Sequence, residues 1–225
     1  MDGSISVVMM GASGAVGQET LNHLLTMPQI QRITLLGRRP LKNIRDERVA
    51  QHIVDVCDPS SYRELLAGHA AAICTLGVGQ PSQMSKAEFI KIDKDAVLQF
   101  AKACRKAKIK HFQLLGSVGA NANSAAFYLR CKGELRDGIA ALQFPRFSAF
   151  QPSMILTPTN RYGMQQAFTL ALWPLLKPVL QGSWRQYRGI AVATLGTAIA
   201  RNVLSESAPV EILQWDQFIK LAQPV

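Results

Sequence analysis

The chain has 225 residues, of which 48% are hydrophobic and 18% charged, with a formal net charge of +10. That length suits one α/β domain with a small appendage, and the apolar content excludes a disordered chain. The cations are scattered, with modest clusters only at Arg38-Arg39 and from Lys102 to Lys110, so a solvated basic surface is expected and no specific nucleic-acid partner.

Cys57, Cys74, Cys104 and Cys131 show no paired spacing, and the histidines are equally dispersed. Neither a disulfide frame nor a metal site is expected, which fits a reduced, cytoplasmic protein. No basic-then-apolar signal segment precedes the first apolar run. The longest apolar tract, 167–180, is broken by Pro174 and Lys177 and is too short to span a bilayer.

In chain order, Ser4 to Gln18 carries the strongest signal. Ile5 to Met10 is a short apolar run that stops at Gly11, Gly14 and Gly17, and a helix is predicted from Val16 to Leu25. A buried parallel strand, a tight glycine turn and a helix start suit a pyrophosphate. Glycine permits sharp turning and close backbone approach, and the helix start offers free N–H groups and a positive dipole end. The spacing is G-x-x-G-x-x-G, not the G-x-G-x-x-G of many dinucleotide dehydrogenases.

Arg32 to Gly37 reads as a second strand, followed by Arg38 and Arg39. At this point of a dinucleotide fold an acid binds the adenosine ribose hydroxyls, whereas an arginine suits a 2′-phosphate. Two guanidinium groups and no acid favour NADP(H) over NAD(H). The plainer alternative is a solvent-facing basic turn. Gln51 to Asp55 is read as a third strand, Asp58 to Leu66 as a helix and Ala71 to Leu76 as a fourth strand. The loop 77–81 would pass under the nicotinamide half. Ser82 to Lys106 reads as one long helix, and Lys110 to Gly116 as a fifth strand. This alternation predicts an α/β Rossmann-type, doubly wound and mainly parallel sheet with helices on both faces.

Ser117 follows the fifth strand, and Tyr128 and Lys132 stand at i and i+4 at the start of the next helix. That spacing places both on one helical face. A free tyrosine has a pKa of roughly 10, and a nearby ammonium favours its phenolate. A serine hydroxyl beside them can orient a carbonyl or alcohol. Arg146 to Phe150 is a sixth strand, with Gln151 to Leu156 at its exit. Residues 157–189 lack a strand–helix rhythm, and 157–208 reads as a small substrate-lobe region within a single domain spanning 1–225. A helix over 164–180 is expected there, with Phe168, Leu170, Leu172, Trp173 and Leu176 as core or homodimer contact. Ala191 to Leu204, Val210 to Leu213 and Asp216 to Leu221 read as helix, strand and helix.

Taken together, G-A-S-G-A-V-G at 11–17, L-G-R-R at 36–39, C-T-L-G at 74–77, K-H-F-Q-L-L-G-S-V-G-A at 110–120, Y-L-R-C-K-G-E at 128–134 and F-S-A-F-Q-P-S at 147–153 resemble the atypical short-chain dehydrogenases/reductases. Within them the chain is similar to the Tat-interacting-protein (oxidoreductase-like) group and its bacterial relatives. The resemblance implies NADP(H) in a Rossmann fold and a Ser117–Tyr128–Lys132 catalytic set. Asp93 stands where many such enzymes carry asparagine, and Gln151-Pro152-Ser153 where R-P-G is common. The expected cofactor-binding residues are Gly11, Ser13, Gly14, Ala15, Val16, Gly17, Arg38, Arg39, Asp55, Val56, Leu76, Gly77, Val78, Tyr128, Lys132, Gln151, Pro152 and Ser153. The expected function is hydride transfer to or from a small carbonyl, alcohol or quinone-like substrate. The alternative is a non-catalytic NADP(H)-binding redox sensor or regulator.

Overall fold

In a computed structural model that describes residues 5–78, 84–157 and 180–223, the apolar run Ile5–Met10 forms strand β1, with Val7 to Met10 fully buried. A strand apolar on both faces has to lie inside a sheet covered on both sides. It pairs in parallel with β2 (Ile30–Gly37) and with β4 (Ala71–Cys74). The other members are β3 (Val49–Ile53), β5 (His111–Leu115), β6 (Arg146–Phe150) and β9 (Val210–Leu213). Their order is β3-β2-β1-β4-β5-β6-β9, and every pairing is parallel. The chain therefore runs outward from β1 to β3 and returns to the other side at β4. A crevice opens at the carboxyl ends of strands where the order reverses in this way.

Two apolar layers cover the sheet. On one face, α1 (Ala15–Leu25), α5 (Val192–Asn202) and α6 (Trp215–Ala222) bury Leu21, Leu24, Leu195, Ile199 and Phe218. On the other, α3 (Val97–Lys106) and α4 (Phe127–Ala140) bury Val97, Phe100, Cys104, Leu135 and Ile139.

Several boundaries differ from the sequence reading, each for a local reason. The third strand was expected at 51–55 and lies at 49–53, because Asp46 turns the chain into it through the Val49 N–H. At the far end the Asp55 carboxylate accepts the Cys57 N–H at 2.9 Å and turns the chain out. The helix expected over 58–66 is instead two 3-10 turns, Pro59–Ser61 and Arg63–Leu66. The Asp58 carboxylate accepts the Ser60 N–H and hydroxyl, and the Ser61 hydroxyl donates to the Asp55 and Asp58 carbonyls, competing with a longer helix. The long helix expected over 82–106 starts as α2 (Lys86–Ile90) after a Ser85–Glu88 capping box, and a π-helical turn (Lys91–Ala96) separates it from α3. A short parallel pair, β7 (Ile155–Leu156) with β8 (Ile190–Ala191), was not anticipated. The helix and apolar face expected at 164–180, and the loop at 79–81, lie outside the described residues except for Leu180.

A buried polar network ties β5, β6, β9 and α5 together. The Arg146 guanidinium donates to Glu211 Oε1 (2.8 Å), Asn202 Oδ1 (2.7 Å) and Ser205 Oγ (2.9 Å). Burial alone would raise the Glu211 carboxyl, but hydrogen bonds from Ser148, Ser207, Arg146 and Asn202 hold it below its ordinary range. His111 Nε2 meets Ser148 Oγ at 2.8 Å. Burial, and then the Arg146 charge, push this ring down to about 3 from an ordinary 6.5.

Such a depressed histidine gives stability that is complete above the unfolded value and is lost as pH falls toward the folded one. The slope over that window is about 1.4 kcal/mol per pH unit. Chemical denaturation is expected to show about 2 kcal/mol less stability at pH 5 than at pH 7. The His111→Asn protein should lose less than half as much over the same interval.

Candidate functional site

The turn after β1 is built by contact between backbones. Gly11 has φ +97°, and a Cβ there would lie 2.4 Å from the Leu76 amide nitrogen. A Cβ on Gly17 would lie 2.3 Å from the Gly11 carbonyl oxygen. Only glycine fits either position. The Thr75 hydroxyl donates to the same Gly11 carbonyl at 3.0 Å, fastening the turn to the end of β4.

Gly14 is the N-cap of α1, with no side-chain cap, and no acid stands in the first turn. Gly14 N–H donates to Gly11 O and Gln18 N–H to Gly14 O. The Ala15, Val16 and Gly17 amides between them have no carbonyl of their own helix within reach. Ser13 and Gly14 are exposed beside them. Free N–H groups at the positive end of a helix dipole fit the pyrophosphate of a dinucleotide.

A cleft runs from this turn to the exit of β2, walled by Gly11–Gly14 on one side and Gly37–Leu41 on the other, with Thr75–Gly77 at its end. Arg38 and Arg39 are exposed on its rim. Gln51, on β3, holds their loop: its Oε1 accepts the Leu41 N–H at 2.8 Å, and its Nε2 donates to the Leu41 carbonyl at 3.2 Å. Val56 is buried and lines the cleft. Asp55 is exposed, committed to the Cys57 N–H, and is not part of the lining. Leu76 and Gly77 also line it.

The second half of the site lies at the exits of β5 and β6. Gly116 N–H donates to Phe150 O (2.7 Å), Val118 N–H to Pro152 O (3.0 Å) and Gln151 N–H to Leu213 O (2.8 Å). These bonds hold Ser117 next to the segment Gln151–Ser153. The Ser117 hydroxyl donates to the Val118 carbonyl at 3.3 Å. The loop then folds back on α4 through Asn121 N–H to Leu129 O at 3.1 Å. Gly133 permits that approach, since a Cβ there would lie 2.2 Å from the loop backbone.

Tyr128 is half-buried in the first turn of α4, and Lys132 follows one turn later. The Lys132 ammonium stands 5.8 Å from the centre of the Tyr128 ring and 6.0 Å from that of Phe89. It donates to Asp93 Oδ1 at 2.7 Å, with Lys132 only 6% and Asp93 3% exposed. Asp93 Oδ2 accepts the Val78 N–H, also at 2.7 Å. The i, i+4 spacing thus brings tyrosine and lysine together as read. Asp93, Gln51 and Thr75 were not among the expected site residues. The sequence marked Asp93 only as standing where many similar enzymes carry asparagine; nothing local marked the other two.

A family model described as NAD(P)H-binding matches residues 11–142. Protein HTATIP2 of Rattus norvegicus is 31% identical over 214 residues, covering 93% of this chain and 86% of that protein. Protein FMP52, mitochondrial, of Candida albicans is 28% identical over 189 residues, covering 81% and 80%. Among solved structures, MoeE5 in complex with UDP-glucose and NAD superposes with a TM-score of 0.71 at 15% identity, over 92% of this chain and 75% of that one. A UDP-N-acetylglucosamine 4-epimerase from Methanobrevibacter ruminantium M1 gives 0.71 at 15% identity, over 94% and 76%. At such identity the likeness is one of Rossmann-type fold.

Gly17→Ala puts a methyl group into the Gly11 carbonyl, so the turn and the helix start must separate. The variant is expected to lack any thermal stabilisation that millimolar NAD(P)H is found to give the unmodified protein. Full retention of that shift would show that the close contact is not needed for binding.

Proposed function

This chain belongs to the NAD(P)H-binding family, and from that premise we propose that it is an NADP(H)-dependent oxidoreductase acting on a small carbonyl, alcohol or quinone-like substrate. The observation that carries the reading is on α4, where a half-buried Tyr128 has the Lys132 ammonium 5.8 Å from its ring centre, while Ser117 follows β5 on the loop that folds back on α4.

When bound, the nicotinamide supplies or accepts a hydride. In the reduction, negative charge grows on the substrate oxygen, and the Tyr128 hydroxyl donates its proton there. Lys132 favours the phenolate that remains, because a nearby cation stabilises the charged form. Ser117 Oγ turns from the Val118 carbonyl to donate a second hydrogen bond and orient the substrate. The amides of Ala15 and Val16 receive the pyrophosphate, and Arg38, with Arg39 beside it, pairs with the 2′-phosphate. Oxidation runs the same proton transfer backwards.

Two features favour a second reading, a regulator that binds NADP(H) without turnover. The Lys132 ammonium is already paired with Asp93, and the Ser117 hydroxyl is turned onto backbone. The two readings separate by experiment.

Calorimetric titration is expected to give tighter binding for NADPH than for NADH by roughly tenfold to a hundredfold, the range of a charge-assisted pair worth about 1.5–3 kcal/mol. Arg38→Ala should erase most of that preference and leave NADH affinity nearly unchanged. Equal affinities in the unmodified protein would sink the NADP(H) assignment. For turnover, NADPH oxidation is screened over aldehydes, ketones and quinones. Tyr128→Phe is expected to cost about 10²- to 10⁴-fold in rate on carbonyl substrates with cofactor affinity intact. Absence of turnover on every class, or a rate indifferent to Tyr128, favours the regulator.

A further inference from the structure

We propose that Asp93 is a positioning residue that sets the distance between the floor of the cofactor cleft and Lys132. One carboxylate serves two donors on separate elements. Its Oδ1 takes the Lys132 ammonium of α4, and its Oδ2 takes the Val78 N–H at the exit of β4, each at 2.7 Å. Val78 adjoins Gly77, which lines the cleft. A single rigid group therefore links the cleft wall to the lysine.

The local structure is arranged for this contact. Asp93 lies in the π-helical turn Lys91–Ala96, where the i→i+5 pattern departs from the surrounding α-helix. The next residue, Lys94, pairs with Glu134 of α4 at 2.9 Å, so this turn is docked on α4 by two ion pairs side by side. Gly77 leaves room for the carboxylate, since a Cβ there would come within 3.2 Å of Asp93 Oδ1. Asparagine could not do the same work. It has one acceptor oxygen, and its NH₂ would face either the Val78 N–H or the ammonium. The negative charge is also what makes a buried ammonium tolerable in this position.

The inference rests on the reading of Lys132 as a cofactor contact, and a double-mutant cycle on NADPH affinity tests it. Calorimetry compares the unmodified protein, Asp93→Asn, Lys132→Met and the double variant. Asp93→Asn is expected to weaken NADPH binding about tenfold, the loss of one charge-assisted contact. On the Lys132→Met background the same substitution should change affinity by less than about twofold, because there is no ammonium left to position.

A purely structural acid would give the same loss on both backgrounds, and that result overturns the proposal. So does an Asp93→Asn protein that binds NADPH as tightly as the unmodified one. Asp93→Glu keeps the charge but shifts the carboxylate by one methylene, and it covers the case in which the asparagine variant does not fold. It too should weaken NADPH binding, and unchanged affinity would count against the proposal. An unmodified protein that does not bind NADPH removes the premise itself, an outcome distinct from a failed cycle.

Discussion

The glycine turn after β1 lies directly on the backbone at the end of β4, and the rest of the site depends on that contact. With Gly11 against Leu76 N and Gly17 against Gly11 O, there is no space for a side chain between the two segments. The start of α1 is thereby carried to the point where the strand order reverses. Its free amides and positive dipole end face the crevice that this reversal opens. Two residues beyond Leu76, the same segment reaches Asp93 through the Val78 amide. The pyrophosphate end and the lysine end of the site are thus joined by one short run of backbone.

Buried charge is used at both ends of the sheet, for different purposes. At the carboxyl end, Asp93 and Lys132 bury a single ion pair beside the rings of Phe89 and Tyr128. Breaking such a pair by removing one partner typically costs 3–5 kcal/mol, whereas an apolar replacement of both is often neutral. Its retention here is therefore weak evidence for stability and better explained by the position it gives the ammonium. At the other end of β5 and β6, the Arg146–Glu211 pair is spread over Ser148, Asn202, Ser205 and Ser207. That network fastens the edge strand β9 and α5 to the sheet and touches no part of the cleft. Exposed pairs such as Arg63–Glu64 contribute at most about 1 kcal/mol and decide neither matter.

The elements that carry strong local patterns were legible in the sequence. β1, the glycine turn, β6, β9 and the helix bearing Tyr128 and Lys132 lie where apolar runs, glycines and the i, i+4 spacing put them. The same reasoning read Ser82 to Lys106 as one helix, because the apolar stripe continues through the π-helical turn and registers only burial. It singled out Asp93 for the identity of its side chain but could not see its partners, which lie at sequence distances of 15 and 39. Gln51 and Thr75 were passed over for the same reason. Each is an ordinary strand or strand-end residue until the fold brings it to the Arg38–Leu41 loop or to the Gly11 carbonyl. Asp55, expected as a cofactor contact, lies off the cleft lining with its carboxylate on the Cys57 N–H.

The central claim is that the turn at Gly11 to Gly17 and the Val78–Asp93–Lys132 link form one continuous binding surface. Amide chemical shifts recorded during an NADP⁺ titration test it most directly. The account predicts that the amides of Ser13 to Val16, Gly77 and Val78 and the Lys132 ammonium shift together, with one midpoint and one-to-one stoichiometry. Shifts confined to the turn, with Val78 and Lys132 unmoved at saturation, would contradict it.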